Sequence, residues 1–366
     1  MQVKIEKLDN FGRGITHINN KICFVENALP NEIVDIEITK DKAKYQEAKV
    51  IKILEASKDR IEVDCPYYNK CGGCSLRHLS YDKENEYKEK KLEETLKHIG
   101  NLNIRVNKII YNNEFNYRNK VTFHNANNKL GYYEKNTRNI INIDYCLLLD
   151  NLINDNIKNI KTNEKEVIIR SSNNSKELLI NNKDHIITNI GDKKYYLSKE
   201  SFFQINKYLT KDLYNLVRNG INKKYNKCLD LYCGIGSIGI YISDLVNEVI
   251  GVDYNESNIN DANKNKELNN INNISFICDK VENIIDNFSD IDLIIVDPPR
   301  AGLDNKTNNY IRIINPERLI YVSCDQVTLS RDLKELNDKY KIIEITPLNM
   351  FPRTYHCESV TVLERR

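Results

Sequence analysis

At 366 residues the chain exceeds one ordinary domain, and two or three compact units are expected. Its 40% hydrophobic and 29% charged residues exclude a disordered chain, and apolar stretches as short as Leu293 to Val296 fall far below the roughly 20 residues that span a bilayer. The formal net charge is +2, and residues 1–60 carry eleven basic against ten acidic side chains, so the strongly basic domain of many nucleic-acid binders is excluded as well. No charged-then-apolar leader opens the chain, which points to a cytoplasmic protein without a membrane partner. In that setting ten cysteines read first as metal ligands or catalytic thiols and not as a disulfide framework.

Residues 1–60 alternate apolar and polar positions over short runs, as at Val3/Ile5, Ile22/Phe24 and Val34/Ile36/Ile38. Phe11-Gly12-Arg13-Gly14 and the stretch from Asn27 to Pro30 interrupt them, so short strands closing into a small barrel are expected. Lys40, Lys42, Lys44 and Tyr45 form either a basic, aromatic patch or a solvated hairpin tip. Residues 61–200 open with Cys65, Cys71 and Cys74, spaced C-x5-C-x2-C around Gly72 and Gly73. That density signals a metal site, for which Cys146 is the best fourth ligand; on spacing alone four-cysteine zinc and an iron–sulfur cluster are nearly equal readings. Cys23, Cys228, Cys233 and Cys278 fall on predicted strands or beside a glycine turn and are expected to pack. A helix starting after Ser80 carries Leu92, Leu96 and Ile99 at helical spacing up to Gly100. Strands follow at Lys120 to Phe123 and Glu166 to Arg170, separated by an Asn-rich stretch from Asn151 to Asn163 that reads as a surface excursion.

From residue 201 the pattern changes. A helix with Leu209, Leu213, Leu216 and Val217 on one face closes at Gly220. Buried-type strands then alternate with polar helical stretches at Cys228–Tyr232, Glu248–Asp253, Ile274–Cys278, Leu293–Asp297, Leu319–Ser323, Ile342–Thr346 and Ser359–Leu363. This is the pattern of a doubly wound α/β sheet, whose ligands bind at the carboxyl ends of its strands. The first of these strands runs into Gly234-Ile-Gly236-Ser-Ile-Gly239, a turn that lets a ligand approach the backbone at a helix N-terminus. Asp253 ends the second strand, placed to accept from ribose hydroxyls, and Asp279 follows the third, where an adenine-contacting side chain would stand. An adenosine-containing cofactor is expected, and these residues alone leave NAD open.

Three later segments narrow the choice. Asp297-Pro298-Pro299-Arg300 is a rigid loop at the rim; Cys324 lies at the end of the fifth strand; Glu358, after His356-Cys357, precedes the last one. Each alone is ordinary, since a lone cysteine at a strand end is usually a small hydrophobe. Together, the segments DLYCGIGSIGI, DPPRAGL, YVSCD and HCESV, with FFQIN, YRNK and GYY, resemble those of the bacterial RNA uridine-C5 methyltransferases, over nearly the whole chain.

The resemblance implies a Rossmann-like class I domain over 201–366 that uses S-adenosyl-L-methionine, with Cys324 as nucleophile toward carbon 6 of a uracil and Glu358 as the base that removes the carbon-5 proton. By it Gln204 and Asp297 hold the uracil edge or the methionine end of the cofactor, and Tyr232, Gly234, Gly236, Asp253 and Asp279 line the rest of its site. Arg118 and Lys120 would contact RNA. It also implies a TRAM barrel over 1–60, on GRGIT and CFVENALPNE, and a central α+β domain over 61–200 with a [4Fe–4S] cluster on Cys65, Cys71, Cys74 and Cys146. Barrel and cysteines together resemble the 23S rRNA branch, with a flipped-out uridine as target, no DNA partner and a monomeric enzyme. The alternatives are the same chemistry on tRNA, an inactive RNA-binding assembly factor that keeps the fold, and an NAD-dependent oxidoreductase. The chain departs from the family in a trimmed central region and in Asp325-Gln326, where many relatives have Asn-Pro after the nucleophile.

Overall fold

A computed structural model describes residues 1–126, 129–181 and 183–366. The N-terminal strands are β1 (Gln2–Lys4), β2 (Lys7–Leu8), β3 (Gly14–Ile18), β4 (Lys21–Glu26), β5 (Ile33–Asp41) and β6 (Tyr45–Glu55), ordered β1-β5-β6-β4-β3-β2 in one sheet, with register shifts between β5 and β6. Alternation puts Ile5, Cys23, Val25, Val34, Ile36 and Ala48 on its inner face, in line with the apolar–polar pattern of the sequence. At the β5–β6 turn Lys42 and Lys44 are exposed, Lys40 pairs with Glu47 at 3.4 Å and Tyr45 packs edge-on against Phe24.

The helix after Ser80, α1 (Tyr81–His98), leans its Leu92 and Leu96 on the C-terminal unit. The chain beyond it stays there, bridging Ile110 to Leu348. A second sheet of order β11-β10-β7-β8-β9 is built from β7 (Lys120–Ala126), β8 (Lys129–Tyr133), β9 (Ile140–Asn142), β10 (Glu166–Ser171) and β11 (Leu178–Ile180). The Asn-rich stretch is only partly the excursion expected, for it begins as α2 (Asn151–Ile157). Asp150 caps it by accepting from the Leu152 amide at 2.8 Å, and Ile153 and Ile157, one turn apart, are buried against the sheet. Two well-placed isoleucines and a cap outweigh the poor helix propensity of asparagine. The hairpin β12 (His185–Ile190) and β13 (Lys193–Ser198) then leads into the C-terminal unit.

There α3 (Thr210–Gly220) precedes a sheet of order β16-β15-β14-β17-β18-β20-β19. Its strands are β14 (Tyr225–Leu231), β15 (Val246–Asp253), β16 (Ile274–Cys278), β17 (Leu293–Val296), β18 (Arg318–Ser323), β19 (Tyr340–Leu348) and β20 (Glu358–Arg365). The first five strands in spatial order run parallel, whereas β20 is antiparallel to both its neighbours. Helices α4 (Ser237–Ile242), α5 (Glu256–Leu268), α6 (Val281–Ile284), α7 (Asn305–Ile314) and α8 (Gln326–Leu336) make the connections. Two large apolar cores lie on the two faces of this sheet, which is why Leu293 to Val296 is an unbroken buried run. Cys23, Cys228 and Cys233 are buried as expected, while Cys278, at the end of the outermost strand β16, is exposed. Among the described residues no helix is long and apolar enough to cross a membrane.

Candidate active site

The turn after β14 is built from left-handed backbone. Tyr232, Gly234 and Gly236 have φ of 61°, 53° and 72°. A Cβ on Gly236 would collide with the Phe276 ring, whereas one on Gly234 would meet nothing within 4 Å. Gly236 is therefore demanded by packing and Gly234 by its left-handed backbone, with open space in front of it. Asp253 ends β15 beside this turn; its Oδ2 accepts from the Gly234 amide at 3.0 Å, and its Oδ1 from Asn255 N at 2.9 Å and Asn258 Nδ2 at 3.1 Å. Asp279, just past β16, is half-buried and accepts from Asn283 Nδ2 at 2.9 Å. Gln204, Phe203, Tyr232, Gly234 and Asp297 line one slot in front of the turn. Asp230, the first residue of DLYCGIGSIGI, has no role assigned from sequence and lies beneath the turn: fully buried, it accepts from the Gly239 amide at 3.0 Å, and burial pushes its carboxyl up to about 7.

The strand register assembles the second half of the site. Ser323 of β18 pairs with Ser359 of the antiparallel β20, so Cys324 and Glu358 are the next residues across the same ladder. Asp297 leaves β17 at the same edge, because Val296 pairs with Tyr321 two residues before the end of β18. The three groups shape one another's ionisation. Burial pushes Cys324 up to about 12, reinforced by the charges of Glu358 and Asp297 and opposed by Arg300. Burial raises Asp297 to about 7 and, together with Asp297, holds Glu358 well above the usual carboxylate range. Asp325 caps α8 by accepting from Val327 N and Thr328 N, both at 3.0 Å, which leaves Cys324 at the positive end of that helix.

Segments distant in sequence brace this edge. Tyr117 donates to Pro352 O at 3.1 Å and Asn119 Nδ2 to Gln204 O at 3.1 Å, so the YRNK motif ties the central sheet to both halves of the site. Lys120, half-buried, is turned toward Ser201 O at 3.4 Å, and burial lowers it to about 8. Arg118 does not join the catalytic edge; it lines the cysteine cavity and donates to Lys120 O at 2.9 Å. Buried Lys88 binds Glu84 at 2.8 Å and Asn349 at 2.6 Å, and Glu84 accepts from the Arg353 amide at 2.9 Å. The barrel reaches the edge too. Asn10 and Phe11 share a cavity of about 100 Å3 with Lys91, Cys324, Tyr355 and His356. The sequence signal for that contact is only the turn Phe11-Gly12-Arg13-Gly14.

Cys65, Cys71, Cys74 and Cys146 line a separate cavity of about 70 Å3, with Tyr67, Tyr132 and Arg118. Gly73 N donates to Cys71 Sγ at 3.4 Å. Asn154 of α2 clasps Cys146 from both sides, its Oδ1 accepting from the Cys146 amide at 2.9 Å and its Nδ2 donating to the Cys146 carbonyl at 3.0 Å. Among the described residues, no three His, Cys, Asp or Glu side chains close on one point as they do around a single metal ion. A wider hollow of about 530 Å3, by Asp286 and Tyr310, holds none of the residues singled out from sequence.

A mostly parallel sheet with a glycine turn and paired acids at its carboxyl edge, joined to the matches that follow, makes this a class I S-adenosylmethionine-dependent methyltransferase with an N-terminal TRAM domain. Residues 161–366 match the tRNA (Uracil-5-)-methyltransferase family and residues 1–51 the TRAM domain. A protein of Aquifex aeolicus named "Uncharacterized RNA methyltransferase" is 31% identical over 100% of this chain and 98% of its own, and one of Listeria monocytogenes with the same description is 32% identical over 99% and 97%. The crystal structure of Pyrococcus abyssi tRNA (uracil-54, C5)-methyltransferase in complex with S-adenosyl-L-homocysteine superposes with a TM-score of 0.81 at 26% identity, covering 99% of each chain. The chain belongs to the uracil-5 RNA methyltransferase family.

Proposed function

We propose that this chain methylates carbon 5 of a uridine in 23S rRNA through a covalent adduct on Cys324. The observation that carries the chemistry is the cross-strand placement of Cys324 and Glu358 at the same carboxyl edge of the sheet as the glycine turn. The Cys324 thiolate adds to carbon 6 of the ring, which becomes an enolate nucleophilic at carbon 5. S-adenosylmethionine supplies the electrophilic methyl group. Tyr232, Gly234, Gly236, Asp253 and Asp279 hold that cofactor, and Gln204 and Asp297 hold its methionine end or the uracil edge. Glu358 takes the proton from carbon 5, and Cys324 departs as thiolate. In this reading residues 1–60, 61–200 and 201–366 are the functional units of a cytoplasmic monomer, and Arg118 and Lys120 serve the RNA side of the central unit.

The ribosomal target is supported by the cysteine cavity, since the tRNA enzymes of the family generally lack those cysteines; the barrel does not separate the two targets. A tRNA target is favoured by the Pyrococcus abyssi enzyme, whose likeness extends over 99% of this chain, barrel included. Methyl transfer from labelled S-adenosylmethionine to unmodified 23S rRNA and tRNA transcripts in parallel separates the two. Label recovered as 5-methyluridine from 23S rRNA is expected; label in tRNA alone overturns the ribosomal target and keeps the chemistry.

The four cysteines bind a [4Fe–4S] cluster that holds the central unit in shape. Four cysteines lining one cavity are a donor set that suits four-cysteine zinc or a four-iron cluster, and the likeness of the C-x5-C-x2-C spacing to the ribosomal branch of the family favours the cluster. Protein purified without oxygen is expected to contain about four irons per chain with matching sulfide. Zinc in their place, or unchanged folding and RNA binding after the metal is stripped, would count against this reading.

A further inference from the structure

Phe11 is 54% exposed, yet nothing about it is loose. Asp9 Oδ1 accepts from the Phe11 amide at 2.9 Å and the Arg13 amide at 2.8 Å, while its Oδ2 accepts from Arg13 Nε at 2.8 Å. Tyr87 of α1 donates to Asp9 O at 2.6 Å, which pins the whole barrel turn to the helix. The Arg13 guanidinium lies 5.4 Å from the Phe11 ring centre and 4.4 Å from that of Phe24. The Tyr355 ring stands edge-on against Phe11, with centres 5.3 Å apart, and His356 follows at 4.1 Å from Tyr355. Lys91 donates to Tyr355 O at 3.1 Å and lies over the Tyr355 ring at 5.4 Å. Cys324 lines the same cavity. A rigidly held, solvent-facing aromatic beside cations, opening on a nucleophile, is the arrangement by which proteins stack the bases of single-stranded nucleic acid.

We infer that Phe11 is a stacking platform for the nucleotide next to the target uridine, so that the barrel turn sets which base enters the Cys324 site. This rests on the RNA-methylating function proposed above. A uridine lifted out of its stack leaves a neighbour with an uncovered face. Phe11 would cover that face while Lys91 and the exposed Arg300, which lies 3.3 Å from His356, meet the adjoining phosphates.

The test uses the full-length protein and the transcript it methylates. Phe11→Ala and Phe11→Leu are each expected to weaken RNA binding about tenfold, and Phe11→Trp to restore it. Phe11→Leu retains an apolar contact with Tyr355, so its thermal midpoint should equal that of the parent. The parent is then compared with Phe11→Leu on RNAs abasic at the position 5′ or 3′ to the target. At one position the abasic site should cost the parent about tenfold and cost Phe11→Leu nothing further. Additive losses at both positions, or a fall in thermal midpoint that accounts for the loss in Phe11→Leu, would overturn the inference and leave Phe11 as a clasp between barrel and C-terminal segment. Failure of the underlying function is seen separately, as no methyl transfer by the parent itself.

Discussion

Cys324→Ala is expected to abolish methyl transfer, by on the order of 10^4-fold or more, while leaving cofactor binding and thermal stability near those of the parent. No neighbouring group can take over. Cys357, which borders the same cavity, is buried, and its thiol donates to the Leu348 carbonyl at 3.6 Å. The side chain removed is small, it is half-buried, and the strand register that places position 324 rests on backbone pairing, so the structural cost should be slight. Equilibrium dialysis with S-adenosylmethionine beside a methylation assay reads both halves of the prediction. Ordinary turnover by the alanine variant would end the covalent mechanism.

Glu358→Gln should fail later in the reaction. A glutamine keeps the shape but cannot accept the carbon-5 proton, so turnover is expected to drop by roughly 10^2 to 10^4-fold. A protein–RNA adduct that survives denaturing electrophoresis should accumulate. The same substitution should change stability in the opposite direction. Because the folded protein holds the Glu358 carboxyl well above its unfolded value, the folded state binds the extra proton and stability declines as pH rises above the unfolded value, about 4.3. At pH 8 the glutamine variant, free of that penalty, should melt higher than the parent. The rate of the parent should follow the complementary rule. In the proposed mechanism Glu358 acts as carboxylate and Cys324 as thiolate, and burial with mutual repulsion raises both along with Asp297, at about 7. Single-turnover rates should therefore climb from pH 6 to pH 9. A rate that falls over that range would mean that neither base form is the active one.

The strands of the C-terminal sheet are legible in the amino-acid sequence because strands buried on both faces read as continuous apolar runs, and the acids and glycines punctuate their ends. α2 is not legible there, since its signal is two isoleucines and one cap within a field of asparagines. Asp230 opens the DLYCGIGSIGI segment, but its role as a buried acceptor for the Gly239 amide depends on the fold that brings the two together. The contact of Asn10 and Phe11 with the Cys324 cleft joins positions more than 300 residues apart, and a single sequence carries no information about such pairs. The placement of Arg118 shows the opposite weakness, for a motif identifies a basic residue without saying which cavity it faces.

The order of the sheet bears on when the enzyme becomes active. Of the two final strands, the later one, β20, is threaded between β18 and β19. While a ribosome is still extending the chain past Leu348, β18 has a raw edge and β19 has no partner, so Cys324 stands without Glu358 beside it. Closing the gap requires residues 358–365 to zip into both neighbours at once, a non-local step that must come late in folding. On the proposed mechanism a nascent chain thus has its nucleophile in place before it has the group that releases the product, and the two meet only when synthesis of this sheet is finished.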